Sequence, residues 1–448
     1  MENHSKKVLF LVENLTYPFD TRVRHEVHAV RDAGYQVAVI CPNGPGDRYH
    51  EYADGVNVYR FPVPYRGNGL LGYVFEFGYA TLAMLMLTIW VWLRHGFDVI
   101  HAANPPDTLF VIGLVFKLFG KRFVFDHHDL APELYLSRFQ RPQVNLVFRT
   151  LRLLEKCSFR TADIVIATNE SYKRIAIERG KKLPEQVFVV RNGPLLSFGP
   201  GPADPGLSCR APHIIGYIGT MGPQDGVDYW LRAIRELVVS CGRQDFLAVL
   251  IGGGDAASDL RALAKELGIE EYVWFTGRIC DSDVRRILST AQICVHPDPL
   301  NALNNVSTMN KMMEYMALGK PVVSFDLVEA RYSAGEAACY ATPNDVTDFA
   351  KKVIWLMDHP QERAVRGALG KQRVAEKLAW EYSIPRLLKA YDLLFGIQDH
   401  APALDVLSEE PVPGDETRRL LQMTGAALPA KQEEHGSHNG KASSDMLR

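Results

Sequence analysis

The chain has 448 residues, of which 47% are hydrophobic and 23% are charged, and its formal net charge is −2. This length exceeds one ordinary hydrophobic core, and the composition is that of a globular protein, which excludes a disordered chain. The near-neutral charge argues against a nucleic-acid partner. Residues 1–195 are nevertheless mildly basic, with 24 Lys and Arg against 19 Asp and Glu, which indicates an anionic surface or ligand on that side.

Two features predict a cytoplasmic protein. The seven cysteines are scattered, and no CxxC or His-containing metal spacing appears, which is typical of free thiols in a reducing compartment. The N-terminal MENHSKK runs straight into the strand-like VLFLV, without the apolar region and cleavage site of a secretory signal. We therefore expect a cytoplasmic location and no metal site.

In chain order, the first half alternates short apolar runs with helical patterns. The first helical pattern, residues 21–34, has apolar residues three and four positions apart and ends at Gly34. Alternation of this kind is typical of a parallel sheet covered by helices on both faces. The predicted strands are residues 8–12, 36–41, 56–61, 98–102, 122–126, 163–168 and 187–192.

Two helices of this half could face a membrane. Residues 73–93 are nearly long enough to cross a bilayer, but they contain Glu76, and the strands on either side belong to one sheet. We therefore expect a buried or membrane-docked helix rather than a span. The second helix carries a row of basic residues that is either a solvated face or a contact with an anionic membrane surface, on the inner face of the plasma membrane. The row consists of Arg149, Arg152, Lys156 and Arg160.

A stretch rich in Pro and Gly separates this half from a second one, in which the same alternation restarts. The predicted strands there are residues 214–219, 246–254, 272–277, 292–297, 320–326 and 338–342. The predicted organisation is a first domain (1–195), a linker (196–212), a second domain (213–380), a final helix (381–396) and a disordered tail (397–448). Two doubly wound α/β domains of this kind bind ligands at the carboxyl ends of their strands, so we expect the site in the cleft between them.

Glycine turns follow two strands of the second half. Gly219 and Gly222 come after the first of these strands, and residues 252–254 come after the next. Glycine there lets backbone N–H groups and a helix N-terminus approach phosphate oxygens closely. Neither turn fits GxGxxG, and each is also typical of an ordinary tight turn between a strand and a helix.

The segment VSTMNKMMEYMALGKPVV predicts a helix that Ser307 or Thr308 caps and that ends at Leu318. Its methionines would face the core, leaving Asn310, Lys311 and Glu314 on the opposite face. Lys311 and Glu314 are three residues apart, so they could form a surface ion pair. They could equally bind a nucleotide, with the lysine on phosphate and the glutamate on ribose hydroxyls.

Together with IGGGDAASDLRALAKELGI and HPDP, this segment closely resembles the retaining glycosyltransferases of family 4, which have the GT-B fold. DTRVRHEVHAVRDAGYQVAVICP, DVIHAANPPD and FDHHDLAPELY in the first half agree, and the likeness covers about residues 7–396. It implies a nucleotide-sugar donor, linked to UDP or GDP, held mainly by the second domain and a glycan or lipid-linked acceptor held by the first. It also implies that no cofactor or metal is required and that the last helix returns to the first domain.

The resemblance assigns roles in the second domain. It places the ribose on Glu314, the base against the backbone of Arg278 and Ile279, and the diphosphate near Gly219 and Gly222. Asn310 and Lys311 complete the predicted donor site.

The chain departs from the family at two positions of the donor site. Val306 stands where the family usually has a glutamate for the donor sugar, and Asp225 stands where it usually has a lysine for the phosphates. Lys311, Arg278 or Arg22 could supply the missing positive charge.

In the first domain, polar residues follow several strands. His128 matches a family histidine and is the candidate for contact with the donor sugar or acceptor. Asp129 and Glu133 would orient it or bind acceptor hydroxyls. Asp20 and Arg22 in the first loop, and more weakly Asn104 with its neighbour Asp107, are candidates for the acceptor or phosphate side, although they could also be solvated charges.

The predicted function is retaining transfer of a hexose from a nucleotide-sugar to a glycan or lipid-linked acceptor, in cell-surface or exopolysaccharide biosynthesis. A sugar-nucleotide 2-epimerase of similar architecture is one alternative, although its chemistry needs carboxylates around the sugar. A non-catalytic partner subunit is the other alternative, and Val306 and Asp225 are the features that favour it.

Overall fold

The computed structural model describes residues 6–63, 69–139 and 145–397. Within these ranges the chain forms two α/β domains, each with a mostly parallel sheet between layers of helices. The predicted fold class is confirmed. The predicted tail beyond Ile397 lies outside the described residues.

The first sheet has eight strands in the order β3-β4-β2-β1-β5-β6-β7-β8. All neighbouring strands are parallel except β3, which pairs antiparallel with β4 at one edge. The sequence did not reveal β3, because this four-residue edge strand alternates exposed and half-buried residues and has no apolar run. The strands are β1 (Lys7–Leu11), β2 (Gln36–Pro42), β3 (His50–Ala53), β4 (Val56–Phe61), β5 (Val99–Ala103), β6 (Arg122–His127), β7 (Ile164–Ala167) and β8 (Val187–Val189).

The second sheet has six parallel strands in the order β11-β10-β9-β12-β13-β14. Each corresponds to a predicted strand. Most side chains of the four inner strands are buried, as expected for a sheet covered on both faces, whereas those of the edge strand β11 are half-buried. The strands are β9 (His213–Ile218), β10 (Phe246–Ile251), β11 (Val273–Gly277), β12 (Ile293–His296), β13 (Val322–Phe325) and β14 (Ala338–Ala341).

Helices connect the strands and cover both faces of each sheet. In the first domain they are α1 (Thr21–Asp32), α2 (Gly69–His95), α3 (Phe110–Lys117), α4 (Ala131–Arg138), α5 (Leu146–Thr161) and α6 (Glu170–Glu178). The linker and second domain contain α7 (Pro205–Ser208), α8 (Val227–Arg235), α9 (Ala257–Glu266), α10 (Asp281–Thr290), α11 (Asn310–Ala317), α12 (Val328–Ala334), α13 (Val346–Asp358) and α14 (Pro360–Arg373). The last helix is α15 (Ile384–Phe395).

The chain returns to the first domain through α15, as the resemblance implied. This helix packs against α1, β7 and β8. The Tyr391 hydroxyl lies 2.7 Å from Nδ1 of the buried His101 on β5. Trp380 donates its backbone N–H to the Pro194 carbonyl at 3.0 Å, which joins the return segment to the start of the linker.

Helix α2 lies along β2 and β4 and leaves one face exposed. Residues Val74–His95 have a mean hydropathy of 1.7, and only 22% of the most apolar window is buried. Among the described helices, it is the one whose length and composition would allow it to cross a membrane. The predicted buried or docked helix thus has an inner face on the sheet and an outer apolar face.

Glycine is required where the second-domain loops meet. Gly226 begins α8 at φ +66°, and a Cβ there would lie 2.1 Å from the Pro297 carbonyl oxygen. A Cβ on Gly252 would lie 2.0 Å from the Gly219 carbonyl oxygen. The glycine turns after β9 and β10 are therefore in direct backbone contact.

We expect Gly226→Ala to lower the free energy of unfolding by about 3 kcal/mol, because it adds a backbone clash to the cost of a left-handed conformation. Gly242→Ala is the matched control, since Gly242 has φ +64° and open space around the added Cβ. It should cost about 1 kcal/mol. Urea unfolding of both variants measures the difference, and equal losses would contradict the close approach to Pro297.

Candidate active site

The carboxyl ends of the two sheets carry most of the predicted site residues, and the structure brings several of them together. Helix α4 of the first domain packs against the Pro223–Asp225 turn of the second. The Asn304 side chain donates to the Gln224 carbonyl at 2.9 Å, which ties that turn to the loop after β12. The candidate site therefore lies between α4 and the glycine turns, as expected for facing doubly wound domains.

His128 follows β6 and is held by a buried carboxylate. Its Nδ1 lies 3.1 Å from Oδ2 of Asp126, which also forms a bidentate pair with Arg22 at 2.6 and 2.8 Å. Burial alone would lower the pKa of His128, but the Asp126 carboxylate outweighs it and raises this pKa to about 9. His128 is therefore an imidazolium at neutral pH, and it remains partly exposed.

Asn104 organises the turn that contains His128. Its Oδ1 accepts from the backbone N–H groups of His128 and Asp129 at 2.9 and 3.0 Å. Its Nδ2 donates to the Asp129 carbonyl and to the Asp107 carboxylate. Asn104 is buried, so the structure places it behind the turn as a support, rather than at the surface where an acceptor would meet it.

Two other first-domain candidates have structural partners. Asp20 caps α1, since its Oδ1 accepts from the Val23 N–H at 3.0 Å. Arg22 is buried between Asp126 and Glu26 and also donates to Asn192 at 2.5 Å. The prediction that Arg22 reaches the phosphates is not supported, because its guanidinium is enclosed by these partners.

Glu133 forms an ion pair with Arg179 and takes no part in the pair between His128 and Asp126. The Arg179 guanidinium contacts it at 2.5 Å and also binds Glu155, and both carboxylates are buried. Asp129 directly follows His128, and burial raises the pKa of its carboxyl. The catalytic roles predicted for Asp129 and Glu133 stay predictions.

Helix α11 differs from the sequence prediction at its start. It begins after Met309, which makes no side-chain cap, and the hydroxyls of Ser307 and Thr308 contact the first domain instead. Tyr172 OH lies 2.9 Å from Ser307 Oγ, and Asn169 Nδ2 donates to Thr308 Oγ1 at 3.0 Å. The predicted cap is wrong because tertiary partners of the neighbouring domain take both hydroxyls.

Lys311 and Glu314 do not pair with each other. Lys311 is buried, and its Nζ lies 2.6 Å from Oδ1 of Asp298, a residue of the loop after β12. Burial opposes charge on Lys311, but Asp298 and Asp225 together raise its pKa. Lys311 is thus a paired charge beneath the glycine turns, rather than a residue on the outer face of α11.

Glu314 is half-buried on α11. Burial, together with the negative charge of Asp281 at the start of α10, raises the pKa of its carboxyl. Arg278 is exposed, as is Asn310 at the start of α11. The role of Glu314 as the ribose contact, and that of Arg278 and Ile279 at the base, stay predictions.

The Asp225 carboxylate closes the glycine turn after β9. Its Oδ2 accepts from the Gly222 N–H at 2.8 Å. Burial raises the pKa of Asp225 to about 6, while Lys311 and Arg138 act against this rise. Tyr315 of α11 fixes the other side of the turn, since its hydroxyl accepts from the Ile218 N–H at 2.8 Å.

Sequence reasoning missed Asp126, Asp298 and the ion pair between Arg138 and Asp255, which joins the two domains. Asp126 is the penultimate residue of β6 and Asp298 lies in HPDP, so an acidic residue near a strand's carboxyl end was a usable signal for both. The partner of Arg138 lies 117 residues away, and no local pattern could have indicated it.

Three buried side chains, Glu26, His101 and Asp126, lie close enough to share a metal ion. Arg22 already places its guanidinium between the two carboxylates, at 3.1 Å from Glu26 and 2.6 Å from Asp126. The positive charge that this cluster needs is therefore supplied by the chain itself, and the residues do not fit a metal.

Two family models match the chain. The glycosyl transferase 4-like domain matches residues 20–193, and the model described as glycosyl transferases group 1 matches residues 212–359. A phosphatidyl-myo-inositol mannosyltransferase of Mycolicibacterium smegmatis is 25% identical over 393 residues, which cover 85% of this chain and 92% of the relative. A 2-deoxystreptamine glucosyltransferase of Streptomyces kanamyceticus is 22% identical over 193 residues, and this chain spans about half of its length, with 43% and 48% coverage.

Solved structures share the fold. Sucrose-phosphate synthase from Thermosynechococcus elongatus superposes with a TM-score of 0.72 at 18% identity, covering 88% of this chain and 100% of that one. HepE from Anabaena, solved with UDP and glucose, superposes with a TM-score of 0.64 at 18% identity, covering 86% and 99%. At these identities the likeness shows the two-domain architecture.

The raised pKa of His128 predicts how stability depends on pH. Because the folded state holds this proton up to about pH 9 while the unfolded state releases it near its ordinary pKa, the stabilisation is complete below about pH 6.5 and is lost as the pH rises through 9. The free energy of unfolding of the parent therefore falls as the pH rises from about 7 to 9. We expect His128→Gln to reduce this slope by up to about 1 kcal/mol per pH unit.

Urea unfolding at several pH values in this range measures how the free energy of unfolding depends on pH. The variant should still fold, because Asp126 keeps its Arg22 partner. His50→Gln, at the exposed edge strand β3, is the control and should leave the slope unchanged. Parallel curves for the parent and His128→Gln would show that Asp126 does not hold a proton on this imidazole.

Proposed function

Since the chain belongs to the family 4 glycosyltransferases of GT-B fold, we propose that it transfers a hexose, with retention, from a nucleotide-sugar to a glycan or lipid-linked acceptor. We place this reaction in cell-surface or exopolysaccharide biosynthesis. The names of the mannosyl- and glucosyltransferase relatives support a hexose donor. The nucleotide-sugar is the substrate, and the proposal requires no metal or other cofactor.

The observation that carries the proposal is the set of groups around the start of α11. The helix N-terminus and the glycine turns after β9 and β10 would contact the phosphates, Glu314 the ribose, and residues 277–279 the base. The positive end of a helix favours an anion. A carboxylate one turn further along suits the two hydroxyls of a ribose.

The chemistry needs a stabilised leaving group more than a strong base. As the glycosidic bond breaks, negative charge builds up on the diphosphate and the sugar becomes oxocarbenium-like. The α11 N-terminus and nearby cations lower the energy of that charge separation. The family resemblance implies a front-face attack, in which the acceptor oxygen and the leaving phosphate lie on the same side of the sugar.

His128 would act on the first-domain side of this reaction. Tyr172 contacts Ser307 and also lies close to Asp129, so the His128–Asp129 turn approaches the segment before α11. An imidazolium held by Asp126 is a hydrogen-bond donor at both ring nitrogens, and Nδ1 is already used. Nε2 could then donate to a hydroxyl of the donor sugar or to a phosphate oxygen.

We expect calorimetric titration of the purified protein to show micromolar binding of either UDP or GDP. Glu314→Ala should weaken that binding at least tenfold, because the ribose hydroxyls lose a charged acceptor worth about 1.5–3 kcal/mol. Glu266→Ala, an exposed glutamate on α9, is the control and should not change the affinity. Absence of binding for both nucleotides would contradict the proposal and favour the non-catalytic alternative.

We further propose that the protein acts at the inner face of the plasma membrane, docked through α2, α3 and α5. Helix α3 lies between the other two. The exposed apolar side chains on α2 and α3 form an apolar face, which consists of Val74, Phe75, Leu82, Met86, Trp90, Leu93, Val111, Leu114, Leu118 and Phe119. Beside it, α5 exposes Arg149, Lys156 and Arg160. An apolar face next to a basic helix fits an anionic bilayer surface, where a lipid-linked acceptor would be accessible.

Flotation with vesicles tests the docking. We expect the protein to float with vesicles containing phosphatidylglycerol and to float less with phosphatidylcholine alone, because the α5 cations attract anionic lipid. The double variant Leu82→Glu/Met86→Glu should remain at the bottom of the gradient. Val239→Glu, which alters an equally exposed apolar residue of the second domain, should float like the parent. Equal sedimentation of all three proteins with both vesicles would contradict the docking.

A further inference from the structure

The predicted donor site needs positive charge for the diphosphate, and two of the three candidates proposed from the sequence are enclosed. Asp225 occupies the position of the usual lysine. Lys311 is buried against Asp298, and Arg22 is enclosed in the first domain. Arg278 is the exposed one of the three, and its side chain lies beside Gly253 of the second glycine turn. A second cation that faces these turns from the first domain would complete the charge balance of a diphosphate.

Arg138 lies where that charge would develop. It is the last residue of α4, the helix that packs against the Pro223–Asp225 turn. Its guanidinium pairs with the carboxylate of Asp255, which directly follows the glycine turn of residues 252–254. Since this turn touches the Gly219 turn through backbone atoms, Arg138 reaches from the first domain to both glycine turns.

The ion pair between Arg138 and Asp255 is weak enough for a stronger anion to replace Asp255. The Arg138 side chain is 34% exposed and the Asp255 side chain is 73% exposed, so solvent screens their attraction. A diphosphate carries more charge than one carboxylate and offers oxygens that match the fork of a guanidinium. Asp255 thus keeps Arg138 beside the glycine turns until a stronger anion arrives.

We propose that Arg138 is the cation that binds the donor's diphosphate, leaving Asp255 for the phosphate oxygens when the nucleotide-sugar enters. This inference rests on the proposed function. The cation for the leaving group would then come from the first domain. Binding of the diphosphate would strengthen the contact between the two domains. Arg138 would then be a catalytic residue, because it touches the oxygens that take up charge as the glycosidic bond breaks.

The test compares Arg138→Met with Asp255→Asn in calorimetric titrations of whichever nucleoside diphosphate the parent binds, UDP or GDP. Both variants destroy the ion pair, but only the first removes the cation. We expect Arg138→Met to weaken diphosphate binding at least tenfold and binding of the corresponding monophosphate much less. Asp255→Asn should leave diphosphate binding unchanged or tighten it, because the Asp255 carboxylate no longer competes with the phosphate oxygens.

Arg331→Met is the matched control, because Arg331 also pairs with an exposed carboxylate, Asp326, and should not affect binding. Thermal melting checks that each variant is folded, and Arg138→Lys should restore part of the lost affinity. Equal weakening by Arg138→Met and Asp255→Asn would overturn the inference and leave an interdomain ion pair only. An unchanged affinity for Arg138→Met would overturn it as well. Failure of the parent to bind either diphosphate would instead overturn the proposed function, and this inference with it.

Discussion

The buried carboxylate of Asp126 is the group on which the first-domain side of the site depends. It has no exposure to water, and a charge in that position is tolerated because Arg22 binds both of its oxygens while His128 contacts one. Breaking such a pair by removing one partner typically costs about 3–5 kcal/mol, so the three side chains form one unit. The same Arg22 donates to the Val190 carbonyl, where the chain leaves the last strand of the sheet. The position of His128 and the start of the linker are consequently set by one ion pair.

On the second-domain side, the charges are arranged differently from what the family resemblance implies. The lysine of the glycine turn is replaced by Asp225, and a lysine appears on α11, where it pairs with Asp298. The turn thus carries a negative charge, Asp225, and the positive charge of Lys311 lies beneath it. The local charge stays nearly balanced. Asp225 in turn satisfies the Gly222 N–H, a backbone group that could otherwise face a phosphate. Asp225 therefore stabilises the shape of the glycine turn after β9, while the buried positive charge of Lys311 lies behind it.

Most of the fold could be predicted because its signals are local. Helix α1 begins at the predicted residue, Thr21, and the apolar runs of both halves correspond to strands of the two sheets. Strand β3 was missed because it has no apolar run, whereas the errors at the candidate site are tertiary. Ser307 was expected to cap α11 but contacts Tyr172, 135 residues away, and Arg22 was expected at the surface but pairs with Asp126, 104 residues away. The local sequence shows which polar residues are present and predicts the elements they belong to. It does not show the partner of a polar side chain, because that depends on which loops the sheet topology brings together.

The loss of a sugar-binding glutamate at position 306 also has a physical counterpart. Val306 is buried together with Leu303 in the apolar core of the first domain, and its carbonyl accepts from Asn169 at 2.9 Å. A glutamate at this position would place a charge in that core unless the two domains separated. Substituting an apolar residue thus favours the closed arrangement, in which the segment before α11 is fixed to α6. Because α11 carries the predicted ribose contact, the proposed donor site and the contact between the two domains depend on the same few residues.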